Sequence, residues 1–133
     1  MTEIDRTRTW LSLEHEAIWT YGLVGARVEA LADAARAAIR SHESTRDRLA
    51  AALAALGGAP VAPRSAYAVP VPTDVASARA LARDVEARIA AACLGVVEVT
   101  ADEARERAVA GLRAAARACV RWGATPEPFP GLD

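Results

Sequence analysis

Residues Gly58–Pro72 read GAPVAPRSAYAVPVP, 15 residues with four prolines set between two pairs of helix-like segments. Proline fixes φ and donates no backbone hydrogen bond, so four of them without a helical period predict a stiff, extended connection. Links between neighbouring helices of a bundle run about 2–8 residues. This one is longer than a local turn requires, and at about 3.3 Å per residue it reaches roughly 50 Å. A helix of about 22 residues measures only about 33 Å. The link is therefore long enough to run the length of a bundle and start the third helix beside the beginning of the second. The expected fold class is all-α: one four-helix domain over residues 1–133 with a long crossover between helices 2 and 3.

Helical periodicity flanks the link on both sides. Leu11, Ile18, Tyr21, Val24 and Val28 recur at helical spacing and predict a first helix from about Arg8 to Val28. Gly22 and Gly25 lie inside it and allow a neighbour to come close. A weak break at Glu29–Asp33 follows, with Asp33 as a candidate cap for a second helix from about Ala34 to Leu56, which Gly57-Gly58 stops. Thr73 or Asp74 caps the third helix, which carries Val75, Leu81, Val85, Ile89, Ala92 and Val96. Thr100 and Glu103 have capping-box spacing for a fourth, with Ala104, Ala108, Leu112, Ala115, Cys119 and Trp122 on one face. Gly123 ends that helix. The tail over 123–133 holds three prolines, and its Phe129 and Leu132 are expected to pack back on the bundle.

Composition narrows the function classes. All 16 basic residues are arginine, and the formal net charge is −1. A near-neutral chain with its cations spread along the helices argues against non-specific nucleic-acid binding. The N-terminus has no apolar signal-like core and no apolar run reaches membrane-spanning length, so a cytoplasmic protein without a membrane partner is expected. If a hairpin turns near Thr100, Cys93 and Cys119 stand roughly 18 Å apart along the helix axes, too far for a disulfide. They are read as buried free thiols.

Polar residues interrupt the apolar stripes at four places. Glu14 sits among Trp10, Ala17, Tyr21 and Val24, where an unpaired carboxylate is costly. His42 and Arg46 share a face with Ile39 and Leu49. With the first turn near residue 30, Glu14 and Arg46 stand level. If the link crosses back, helix 3 runs parallel to helix 2, and Glu86 joins the same layer, near the level of Arg113 and Arg117 on helix 4. Glu14, His42, Arg46 and Glu86 thus form a candidate buried salt-bridge network; a metal or ligand site and simple exposure are the other readings. His15 and Glu16 are placed on a solvated face.

The strings EHEAIWTYGLVGAR, HESTRDRLAAAL, AYAVPVPTD and RWGATPEPFPGLD resemble a ferritin-like family of unknown function from high-GC bacteria. The resemblance covers nearly the whole chain and implies a ferritin-like bundle. Di-iron members of that fold use one Glu on each of two helices and E-x-x-H on each of the other two. Glu14 and Glu86 match the single-Glu positions. His42 has Ile39 three residues before it, and helix 4 has no histidine, so neither E-x-x-H is complete. No catalytic set such as Ser-His-Asp or Cys-His is visible, and no cofactor is expected. The reading is a non-catalytic interaction or scaffold module, expected as a homodimer, with Trp10, Trp19 and Trp122 serving either the core or an interface. The alternative is a metal-binding or redox protein using the incomplete carboxylate/His set; a pocket for a small apolar ligand among the alanine-lined helices is a third reading.

Overall fold

A computed structural model describes residues 1–125. Among them are four helices, α1 (Glu3–Arg27), α2 (Ala32–Ala55), α3 (Val75–Glu98) and α4 (Asp102–Arg121), with a 3-10 turn at Glu29–Leu31 and no strand. None of these helices is long and apolar enough to cross a membrane. Residues 126–133, and with them the expected packing of Phe129 and Leu132, lie outside the described residues.

Three helix starts differ from expectation in their capping chemistry. α1 starts five residues earlier than Arg8, because Thr2 and Asp5 form a reciprocal capping box. Asp33 does not cap α2; it lies in the first turn and pairs with Arg36. Asp74 caps α3 and is answered by Ser77. The T-A-D-E box at α4 does not form. Thr100 Oγ1 instead donates to the Val96 carbonyl at 2.7 Å and closes the end of α3, leaving Ala101 as a cap without a side-chain bond. Asp102 then takes φ +52°, a left-handed conformation that Asp tolerates better than most residues. α2 ends as expected: Gly57 adopts φ +77° and the Gly58 N–H reaches the Leu53 carbonyl at 2.9 Å.

α1 is the hub. Its buried positions Thr7, Trp10, Glu14, Ala17, Tyr21 and Val24 alternate steps of three and four, the seam of a helix packed against neighbours. It packs against both α2 and α3; α3 packs against α4, while α2 and α4 stand apart. Arg6 pairs with Glu98 at 3.8 Å and Glu16 with Arg88, so α1 and α3 are antiparallel. Glu14 meets His42, and Gly25 faces Ala35, so α1 and α2 are antiparallel as well.

The segment between α2 and α3 contacts α1 in order. Gly58 lies against Ile4, the Val61 carbonyl meets His15 Nε2 at 2.7 Å, and the Tyr67 ring leans on Trp19 with centroids 6.0 Å apart. His15 is therefore buried, not solvated: its ring fastens the extended segment to α1 by satisfying a backbone carbonyl. Glu16 lies partly buried in its ion pair with Arg88.

Close approach rather than bulk closes the α1–α4 side. A Cβ on Gly111 would sit 2.5 Å from Trp10 Cζ2, so only glycine lets the indole lie flush on α4. Cys93, behind it, is buried; Cys119 is only half-buried, and neither forms a disulfide.

Candidate functional site

One polar layer lies inside this core, built from three helices. Glu14 occupies a seam position of α1. His42 falls midway between the buried Ala35 and Leu49 of α2, a seven-residue repeat that keeps one face inward. Glu86 follows the buried Val85 on α3. Both carboxylates are 2% exposed and the imidazole 9%.

His42 joins the two carboxylates. Its Nδ1 lies 2.9 Å from Glu14 Oε2 and 3.1 Å from Oε1, and its Nε2 lies 2.7 Å from Glu86 Oε1. Tyr21 donates its hydroxyl to the same Glu86 oxygen at 2.7 Å. The Tyr21 ring also stacks on the imidazole, centroids 5.5 Å apart and 19° between planes, with Trp122 behind it at 5.6 Å. Neutral imidazole has one donor and one acceptor. Two ionised carboxylates on its two nitrogens require both nitrogens to donate, which defines an imidazolium.

Electrostatics support that state. Burial alone lowers the pKa of His42, but hydrogen bonds and charge from Glu14 and Glu86 outweigh it and push the group up to about 10. Burial raises the pKa of Glu14, opposed by His42. The Tyr21 hydroxyl is held protonated, first by burial and then by the Glu86 charge. Burial, with the charges of Glu14 and Glu86, likewise pushes the Cys93 thiol far up, so it is no nucleophile.

Glu14, His42 and Glu86 come together; Arg46 does not join them. Its Nε bonds Asp47 at 3.0 Å at the surface, with the side chain about a third exposed. The hydrogen-bond positions between the two carboxylates are taken by His42, and Arg46 keeps its head in water beside Asp47. The α4 arginine nearest the layer is Arg121, which lines its cavity, rather than Arg113 or Arg117. Tyr21 is the member that sequence reasoning took for a purely apolar position. Its signal is the spacing: seven residues after Glu14, with small Ala17 between them, it projects from the same face two turns on.

A family model described as a domain of unknown function, DUF4439, matches residues 7–133. The chain belongs to this family. Among solved structures, the DUF4439 chain is similar to a conserved hypothetical protein, rv2844, from Mycobacterium tuberculosis. The two share 27% identity and a TM-score of 0.84, over 90% of this chain and 93% of the other. No match was found among curated proteins.

Above the polar layer the DUF4439 bundle leaves a cavity of about 80 Å³ between α2 and α4. Small residues make its α4 wall: Gly111, Ala114, Ala115 and Ala118. Chemically the layer can hold a proton very firmly and can fix three helices in one register. The three side chains do not converge on a common point, and among the described residues no group of three His, Cys, Asp or Glu side chains is arranged to hold a metal ion.

Proposed function

We propose that this protein is a non-catalytic helical module on a ferritin-like topology, in which an imidazolium stands between two carboxylates where a di-iron relative would use metal. The segment from Leu56 to Asp74 serves as the long crossover, running along α1 and setting α3 parallel to α2. The observation that carries the reading is His42, whose two ring nitrogens are both turned onto carboxylates at 2.7–3.1 Å. The donor set speaks in the same direction. Ile39 stands where an E-x-x-H pair needs Glu, and α4 brings glycine, alanines and Arg121 to this layer but no carboxylate or histidine. These residues do not fit a dinuclear iron centre.

Such a module acts through its surface, in the cytoplasm and as a homodimer. Trp10 and Trp122 are core residues, so Trp19, 36% exposed, is the tryptophan available to an interface. Light scattering that gives a strict monomer at high micromolar concentration removes the dimer from this reading.

The central test is elemental analysis of protein purified without chelator, beside an NMR pH titration of the His42 ring. The expected outcome is substoichiometric metal and an imidazole that stays protonated well above the ordinary histidine range of about 6.5. Stoichiometric metal that disappears in Glu14→Ala overturns the proposal. That result would establish instead a single-ion site on Glu14, His42 and Glu86, in which His42 turns one nitrogen away from its carboxylate.

A further inference from the structure

The polar layer carries more negative charge than positive. Glu14 and Glu86 supply two carboxylates, and the His42 imidazolium answers one of them. The Tyr21 hydroxyl adds a donor but no charge. Two arginines act on the layer from outside: Arg121 on the rim of the cavity, and Arg48, whose field reaches Glu14; both are exposed. A buried charge left without a counter-charge is costly unless dipoles solvate it. His42 and Tyr21 both bond Glu86 Oε1, and Glu86 Oε2 accepts no hydrogen bond from a described residue.

A donor without a partner lies beside the same cavity. Trp10 is 2% exposed, and its Nε1 has no hydrogen-bond partner among the described residues. Nε1 and Cζ2 flank the same ring carbon of the indole, and Cζ2 is the atom that lies closest to Gly111. The N–H edge is therefore the edge turned to the small-residue wall of α4. Trp10, Glu14, Glu86 and Gly111 all line the cavity of about 80 Å³. Cavities that stay empty are apolar, whereas roomy ones that offer two to four polar partners hold water. A water takes about 30 Å³ of liquid volume, so this space suits roughly two or three of them.

We propose that this cavity is a built hydration site, in which a short file of ordered waters accepts the Trp10 Nε1–H and donates to the Glu14 and Glu86 carboxylates. The waters solvate the charge that His42 leaves over. Gly111, Ala114, Ala115 and Ala118 provide the space they occupy. Bulkier residues on that wall would strip the layer of its solvating dipoles and leave the indole N–H buried with no acceptor, a loss that buried polar groups rarely carry. The charge count rests on the imidazolium proposed for His42; the unpartnered Trp10 donor does not depend on it.

The test is water-selected NMR on the full-length chain, read at the Trp10 indole proton. A rotating-frame cross-peak to water is expected there, with the sign of dipolar contact rather than of chemical exchange. It should persist in Ser41→Ala/Thr45→Val, which removes two cavity hydroxyls able to relay magnetisation. It should vanish in Ala115→Leu, which fills the cavity, with circular dichroism unchanged. The wild-type and hydroxyl-free cross-peaks decide the matter even if Ala115→Leu fails to fold. An indole proton without a dipolar water contact overturns the proposal, and so does a cross-peak lost together with the two hydroxyls. Contacts from that proton to a retained small molecule, in place of water, overturn it equally. The His42 titration is read separately: a ring that titrates in the ordinary range removes the imidazolium, while a persisting cross-peak still supports the hydration site.

Discussion

The α1–α3 seam and the α2–α4 seam belong to one bundle but are held by different means. Between α1 and α3 stand large or charged groups: Tyr21 bonded to Glu86, and the ion pairs Arg6–Glu98 and Glu16–Arg88. Between α2 and α4 stand alanines and a glycine, and the helices remain apart. Small side chains allow two helices to close in; they do not compel it. Closure follows where something gains from proximity. Trp10 gains on α4, so Gly111 is tight against it, whereas between α2 and α4 the same small residues line a gap.

The contrast can be broken at its most loaded point. His42→Ala leaves two buried carboxylates facing each other without a cation, and should cost about 3–5 kcal/mol in urea unfolding. Replacing Glu14, His42 and Glu86 together by Leu should recover most of that loss, since an apolar layer of similar volume is often as stable as a buried ionic one. A triple variant as unstable as the single one would show that the layer works by shape rather than charge.

Proton linkage probes the same seam. The folded pKa of His42 is about 10, above its ordinary value of about 6.5. Its contribution is thus complete below about pH 6.5 and is lost as pH rises through about 10, for a total of roughly 3–5 kcal/mol. Glu14, whose pKa burial also raises, favours the protonated fold in the same sense at the acid end. Urea midpoints from pH 6 to 10 should fall in the wild type and stay level in the triple-Leu variant; a flat wild-type profile would contradict the imidazolium.

Size changes then separate the seams. Gly111→Ala drives a methyl to within 2.5 Å of Trp10, and Ala82→Leu overfills a site with no exposure on α3. Each should cost about 1–3 kcal/mol. The smallest effect is expected for Ala38→Leu, on the open seam, within about 0.5 kcal/mol of wild type. Equal penalties for Ala82→Leu and Ala38→Leu, measured as urea midpoints, would mean that the two seams are packed alike.

Much of this architecture was legible because periodicity and punctuation are local signals. Four helices, the Gly57 stop and the Asp74 cap follow from residues near each other in the chain. The expected capping box at Thr100 does not form because its hydroxyl has a second acceptor, the Val96 carbonyl one turn back, and sequence does not say which one wins. Glu14, His42 and Glu86 could be placed in one layer because helical rise converts residue counts into heights. Arg46 has nearly the same height as His42. What separates them is which side chain can be desolvated, and that depends on how many carboxylates are already satisfied. Tyr21 went unseen as a polar member because its ring fits an apolar stripe while its hydroxyl does not declare itself until a partner helix arrives. His15 belongs with it: only the extended segment from Gly58 supplies the carbonyl that makes its burial affordable.

The Tyr21–Glu86 hydrogen bond joins residues 65 positions apart, and His42–Glu86 spans 44. The α1–α2 and α3–α4 pairs are hairpins that can form from nearby sequence, whereas the polar layer exists only once the two hairpins dock. Contacts across such separations come after the chain has met the entropy of closing a long loop. The ionic layer is therefore a late event in folding and an early one in unfolding. Substitutions at His42 should shorten the lifetime of the folded bundle while leaving its folding rate nearly untouched.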